Sequence, residues 1–119
     1  VASIGSAIGP CAFSSLAGIW EWLETDMAAA FMRAYRKSRK WVNETPAGEI
    51  AAAEKEFFPD IDNTVLTNTI AFYQGLGCWT PHVEITREAF DVTQDVFLHS
   101  GLITKKHPYD EVVAVPPSA

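Results

Sequence analysis

The stretch Phe31–Pro46, "FMRAYRKSRKWVNETP", decides how this chain is read. Five of the nine cationic residues fall between Arg33 and Lys40. At about 100° per residue, Met27, Phe31, Ala34, Tyr35, Ser38, Trp41 and Val42 cluster on one side of a helical wheel. Arg33, Arg36, Lys37 and Lys40 fall on the opposite side, with Arg39 on a flank. The spacing predicts a helix from about Thr25 to Asn43, capped by Thr25 or Asp26, with Asp26 suited to the positive end of the dipole. The cations lie toward the negative end, where they are locally stabilising. The basic run is therefore expected to be the wet side of a helix whose other side is buried.

Outward from this stretch the pattern stays helical. Thr45-Pro46 restarts the chain as a cap followed by proline at the first helical position. Ile50, Ala53 and Phe57 form the apolar stripe of that second helix, and Pro59 stops it. A third helix begins near Asp62, places Val65, Thr69, Phe72, Tyr73 and Leu76 on one broad face, and ends at Gly75 or Gly77. A fourth follows Thr86, with Ala89, Phe90, Thr93, Val96 and Phe97 aligned and Gly101 as terminator. Residues 20–103 thus read as a helical region of four or so helices, and the short connections imply antiparallel neighbours. Residues 104–119 read as an extended tail, frayed at its end.

The first nineteen residues, "VASIGSAIGPCAFSSLAGI", differ from everything after them. They carry no charge and contain the Gly9-Pro10 break. Val1–Ile4 and Cys11–Leu16 read as one or two short buried strands or extended segments joined by a turn. The fold class expected is mainly α with these short N-terminal strands.

Composition sets the outer bounds. A chain of 119 residues fits one domain, and 48% hydrophobic with 20% charged residues is ordinary for a globular protein. The net charge of −6 argues against a dedicated nucleic-acid binder. Outside Arg33–Lys40 only four cations face fifteen anions, so the basic patch is isolated. No apolar run approaches the roughly 18 residues of a membrane span. Val1 begins no basic-then-apolar signal segment, so either such a segment was removed or the chain is a piece of something longer. Cys11 and Cys78 lack CxxC spacing, and buried or unpaired thiols are favoured over a disulfide.

Recognisable catalytic chemistry is absent from the sequence. His82, His99 and His107 are scattered, and no Cys/His pair has zinc spacing. Ser14-Ser15 lacks the nucleophile elbow, and "GSAIGP" is not a dinucleotide fingerprint. Asp60 and Asp62 have no EF-hand register and read better as caps. No metal or other cofactor is expected, and no enzymatic role. Trp41 belongs to the apolar stripe, whereas Trp79, in the loop "GLGCWTPHVEIT", is a candidate to touch a ligand or partner.

Taken in order, "AFMRAYRKSRKWVNETPAGEIA", "FFPDIDNTVLTNTIAFYQGLGCW", "ITREAFDVTQDVFLHSGLI" and "PYDEVV" resemble one family. It is the substrate-binding proteins of ABC importers of the nitrate/sulfonate/taurine and thiamine-precursor (NMT1/THI5-like) type. The similarity runs from residue 20 to residue 112, with the pieces in order and at the right spacing. It implies the C-terminal part of a two-lobe α/β fold of the periplasmic-binding-protein type II class. Residues 1–19 would be the strand segment crossing back between lobes at the hinge, and the helices would complete one lobe. The solute implied for the intact protein is a small anion, a sulfonate or a thiamine-pyrimidine-like compound. The implied partner is an ABC permease, and the implied location is periplasmic or otherwise extracytoplasmic at the membrane. Ser6 and Gly9 are the hinge-side residues that could contribute to ligand binding, although both also suit a turn. The resemblance further implies apolar helix faces that normally cover a sheet, with self-association as one way to bury them. Two alternatives stay open: a stand-alone helical interaction or dimerisation module, and nucleic-acid binding through Arg33–Lys40. An enzyme of a related fold would keep its catalytic residues elsewhere.

Overall fold

The structure is a computed structural model that describes residues 4–118. It is mainly helical, and no strand forms among the described residues. The described chain separates into two compact units, residues 4–25 with Glu84–Pro117 and residues Asp26–Val83.

In the first unit, α1 (Ile4–Ile8) and α2 (Trp20–Leu23) are short, and α6 (Arg87–His99) is the main element. Thr86 caps α6 by accepting from the Ala89 N–H at 3.2 Å. Gly101, at φ 75°, takes the left-handed conformation just beyond its end. The expected strand at Val1–Ile4 lies outside the described residues except for Ile4, which opens α1. Cys11–Leu16 is neither a strand nor buried. The Ala12 N–H donates to the Ala89 carbonyl at 3.2 Å and to the Thr93 hydroxyl at 2.9 Å. Phe13 meets the edge of Phe97 at 6.0 Å, yet it and Leu16 stay exposed. A strand needs a neighbouring edge for its ladder; here the backbone finds partners on a helix instead.

Across α6 the chain returns as a strap. Gln94, buried, donates through its amide to the His107 carbonyl at 3.0 Å and accepts from the His107 N–H through Oε1. The tail expected to be extended contains one helical turn, α7 (Tyr109–Val112), with Pro108 before it and Asp110 and Glu111 in its first turn. Proline fixes φ ahead of the turn, and the two acids suit the positive end of a helix.

The second unit holds α3 (Asp26–Glu44), α4 (Ala47–Glu54), a 3-10 turn (Lys55–Phe57) and α5 (Asn63–Leu76). Its core is Ile50, Ala51, Leu66 and Ile70, with Val42, Ala47 and Trp79 packed against it. Asp62 caps α5 by accepting from the Thr64 and Val65 N–H groups at 2.8 and 3.2 Å. Gly77, at φ 67°, ends the helix in the left-handed conformation, with its N–H on the Gln74 carbonyl. Gln74 reaches to α3 and donates to the carbonyls of Val42 and Thr45, at 2.7 and 2.9 Å. The Lys55 ammonium gathers the carbonyls of Phe58, Pro59 and Ile61 around the following loop.

The four longer helices stand where the sequence puts them, but their buried faces differ. On α3 the buried residues are Ala28 and Met32. The stripe expected to be buried is exposed instead: Met27 at 70%, Phe31 at 44% and Trp41 at 42%. On α4 the buried pair is Ile50 and Ala51, while Ala53 and Phe57 are exposed. On α5 the core takes Leu66 and Ile70, leaving Val65, Phe72, Tyr73 and Leu76 exposed. Both long helices carry apolar residues on two stripes about a third of a turn apart. Periodicity marks both stripes and does not say which one meets the core.

Candidate functional site

One cleft lies inside the first unit. It has a volume of about 340 Å³ and is lined by Trp20, Glu84, Ile85, Tyr109, Asp110, Val113, Ala114, Val115 and Pro116. Its geometry comes from the strap around α6. The Tyr109 hydroxyl donates to the Ile85 carbonyl, which ties α7 to the segment leading into α6. The Tyr109 ring meets the edge of Phe90 at 5.5 Å, and the Arg87 guanidinium sits 4.3 Å from its centroid. Arg87 also donates to Asp110 at 2.8 Å. Tyr109 is thus fixed from three directions, and Arg87 is committed to holding it.

The chemistry of the cleft follows from that wall. It is chiefly apolar, with the exposed Trp20 indole, the Tyr109 ring and the carboxylates of Glu84 and Asp110. Asp110 is paired with Arg87, and the apolar and aromatic walls favour a flat or aliphatic group. No group of three or more His, Cys, Asp or Glu that could hold a metal ion occurs among the described residues. Nor is any described helix long and apolar enough to cross a membrane.

Gly9 and Trp79 do not line the cleft. Ser6 falls within α1, its side chain outside the described residues. Gly9 follows that helix at φ 84°, its N–H donating to the Gly5 carbonyl at 3.0 Å, which is the conformation a turn glycine supplies. Trp79 lies in the second unit, half-buried against the core and edge-on to Tyr73 at 5.7 Å. Packing accounts for a tryptophan in that loop. Cys11 and Cys78 are both free; the Cys11 sulfur lies 3.2 Å from the Thr93 hydroxyl, and Cys78 is exposed. The Tyr109 wall was missed by sequence reasoning, whereas Trp20 was among the tryptophans able to stack on a flat ligand. The signal was present in "HPYDEVV", whose proline and acids mark a helical turn.

The basic run is split by the fold. Arg33, Lys37 and Lys40 are exposed, and Lys40 lies 4.0 Å from Glu44. Arg36 and Arg39 are half-buried, and Arg39 lies 5.3 Å from the Tyr35 ring centroid with its Nε shielded from solvent.

The chain is 27% identical over 115 residues to "Putative binding protein YtlA" of Bacillus subtilis (strain 168). The chain resembles a binding protein. The match covers 95% of this chain and 34% of YtlA, so the chain spans about a third of that relative's length. No family model matches the chain, and no solved structure matches it.

Proposed function

We propose that this chain is the C-terminal portion of a solute-binding protein serving an ABC importer of the nitrate/sulfonate/taurine, NMT1/THI5-like type. One observation carries the reading: nearly the whole chain aligns with a binding protein while covering only about a third of it. The ordered pieces from Ala30 to Val113 favour the importer family over other binding proteins. On this reading the intact protein binds a small anion, a sulfonate or a thiamine-pyrimidine-like solute by lobe closure, hands it to a permease outside the cytoplasm, and catalyses nothing. The chiefly apolar cleft fits a division of labour in which most solute-contacting groups belong to the rest of that protein. The test is calorimetric titration of the full-length gene product with nitrate, taurine, an alkanesulfonate and the thiamine pyrimidine. Saturable heat with one of them is expected. No heat with any overturns the solute assignment.

A second reading, a stand-alone helical module that dimerises or docks a partner, is favoured by the breadth of exposed apolar surface, from Phe13 and Met27 to Leu102. Light scattering on the isolated chain separates the two. A monodisperse monomer that binds no apolar dye counts against the module.

A further inference from the structure

Lys55 follows α4 and opens the 3-10 turn. A lysine at a helix end commonly reaches back to the last carbonyls of its own helix. This one reaches forward, beyond the turn, and donates to the carbonyls of Phe58 at 3.4 Å, Pro59 at 3.3 Å and Ile61. An ammonium has three N–H donors and no acceptor, so three carbonyls match it. Three carbonyl dipoles aimed at one point repel one another unless a cation sits there. Side-chain packing does not account for the shape of this loop. Phe57, Phe58 and Ile61 are all exposed, and Pro59 has no N–H to donate. The backbone adds the Phe58 N–H on the Lys55 carbonyl at 3.2 Å and the Ile61 N–H on the Phe58 carbonyl at 3.1 Å. The Phe58 oxygen therefore accepts from both an amide and the ammonium.

We infer that the carbonyls of Phe58, Pro59 and Ile61 form a site for a monovalent cation of the ammonium or potassium class, with Lys55 as its tethered occupant. Converging backbone carbonyls are how a protein replaces the hydration shell of such an ion. A divalent ion would seek carboxylates, and none of the three donors is one. The tether keeps the cation at high effective concentration, so the loop needs none from solution. Lys55 is thus a positioning residue. Directly after Ile61 comes Asp62, whose carboxylate accepts from the Thr64 and Val65 N–H groups and starts α5. The ammonium therefore links the end of α4 to the cap of α5, the two helices that supply Ile50, Ala51, Leu66 and Ile70 to the core. The assignment is local to the second unit and holds whichever solute the intact protein binds.

The first measurement needs no variant. Acetic anhydride on the full-length gene product, read by mass spectrometry, is expected to acetylate Lys55 about tenfold more slowly than the exposed Lys37. Equal rates overturn the site. The second measurement is amide hydrogen exchange on full-length variants. Lys55→Met keeps the stem and loses the charge, and the Ile61, Thr64 and Val65 amides are expected to exchange about tenfold faster while those of α6 keep the parent rate. Lys55→Ala leaves room for a free ion. Ammonium or potassium chloride is expected to bring its exchange back to within about threefold of the parent, whereas choline chloride at the same ionic strength leaves it fast. The parent is indifferent to which salt is present. Parent-like exchange in Lys55→Met would show that the stem alone holds the loop and overturns the site. So does a Lys55→Ala response that is the same in all three salts, since the carbonyls then select no cation.

Discussion

Gln94 and Asp62 show what single side chains contribute here. Gln94 is buried and commits both ends of its amide to the backbone of His107. Gln94→Leu leaves that N–H and carbonyl without their partner, a loss of about 1–3 kcal/mol by urea denaturation, with faster exchange of the His107 amide. An unchanged midpoint would show that water replaces the clamp without cost. Asp62 acts through charge. The N–H groups of Val65 and Thr64 hold its carboxyl below the usual range. Its contribution is fully present above the unfolded-state value and is lost as pH falls through the lower folded value. Circular dichroism between about pH 6 and pH 3 should therefore show the parent losing helix stability faster than Asp62→Asn, which keeps a capping oxygen and does not titrate. Parallel pH profiles would refute this.

At the scale of elements, the caps and the core determine which helices hold. Thr86→Ala removes the α6 cap and is expected to cost about 1 kcal/mol in thermal or urea unfolding. Ile50→Ala opens a cavity where α4 meets α5 and should cost about 2–5 kcal/mol, a large share of the stability of so small a core. Met27→Ala on the outer stripe of α3 should stay within about 0.5 kcal/mol in the isolated chain. If Met27→Ala and Ile50→Ala cost the same, the division into inner and outer stripes is wrong. Local chemistry favours the turn of α7 through Pro108 and the acids after it, and Arg87 and Ile85 hold it from outside through Asp110 and Tyr109.

For the whole molecule, the question is what a chain spanning about a third of its relative's length can do alone. The cleft beside Tyr109 bears carboxylates and apolar walls, and Arg87 is occupied by Asp110 and the Tyr109 ring. Titration of the isolated chain with nitrate, taurine or the thiamine pyrimidine is therefore expected to give no saturable heat. Heat from any of them would mean that a complete solute site resides in this portion. The exposed aromatic residues should also make the isolated chain bind an apolar dye strongly, a signal that falls in the full-length protein.

The sequence by itself determined the four longer helices, the starts at Asp62 and Thr86, the glycine ends at Gly77 and Gly101, and the mainly α class. These are written in periodicity and in side chains that reach no farther than the next turn. It also carried the ordered pieces that resemble a solute-binding protein. The tertiary structure alone decided which apolar stripe of α3 and α5 enters the core, how Gln94 and Tyr109 shape the cleft, and that Trp79 packs against Ile50 and its neighbours. Periodicity fixes the angle between residues on one helix. It holds no information about which neighbour is present to cover them, and burial belongs to the pair of surfaces rather than to either one.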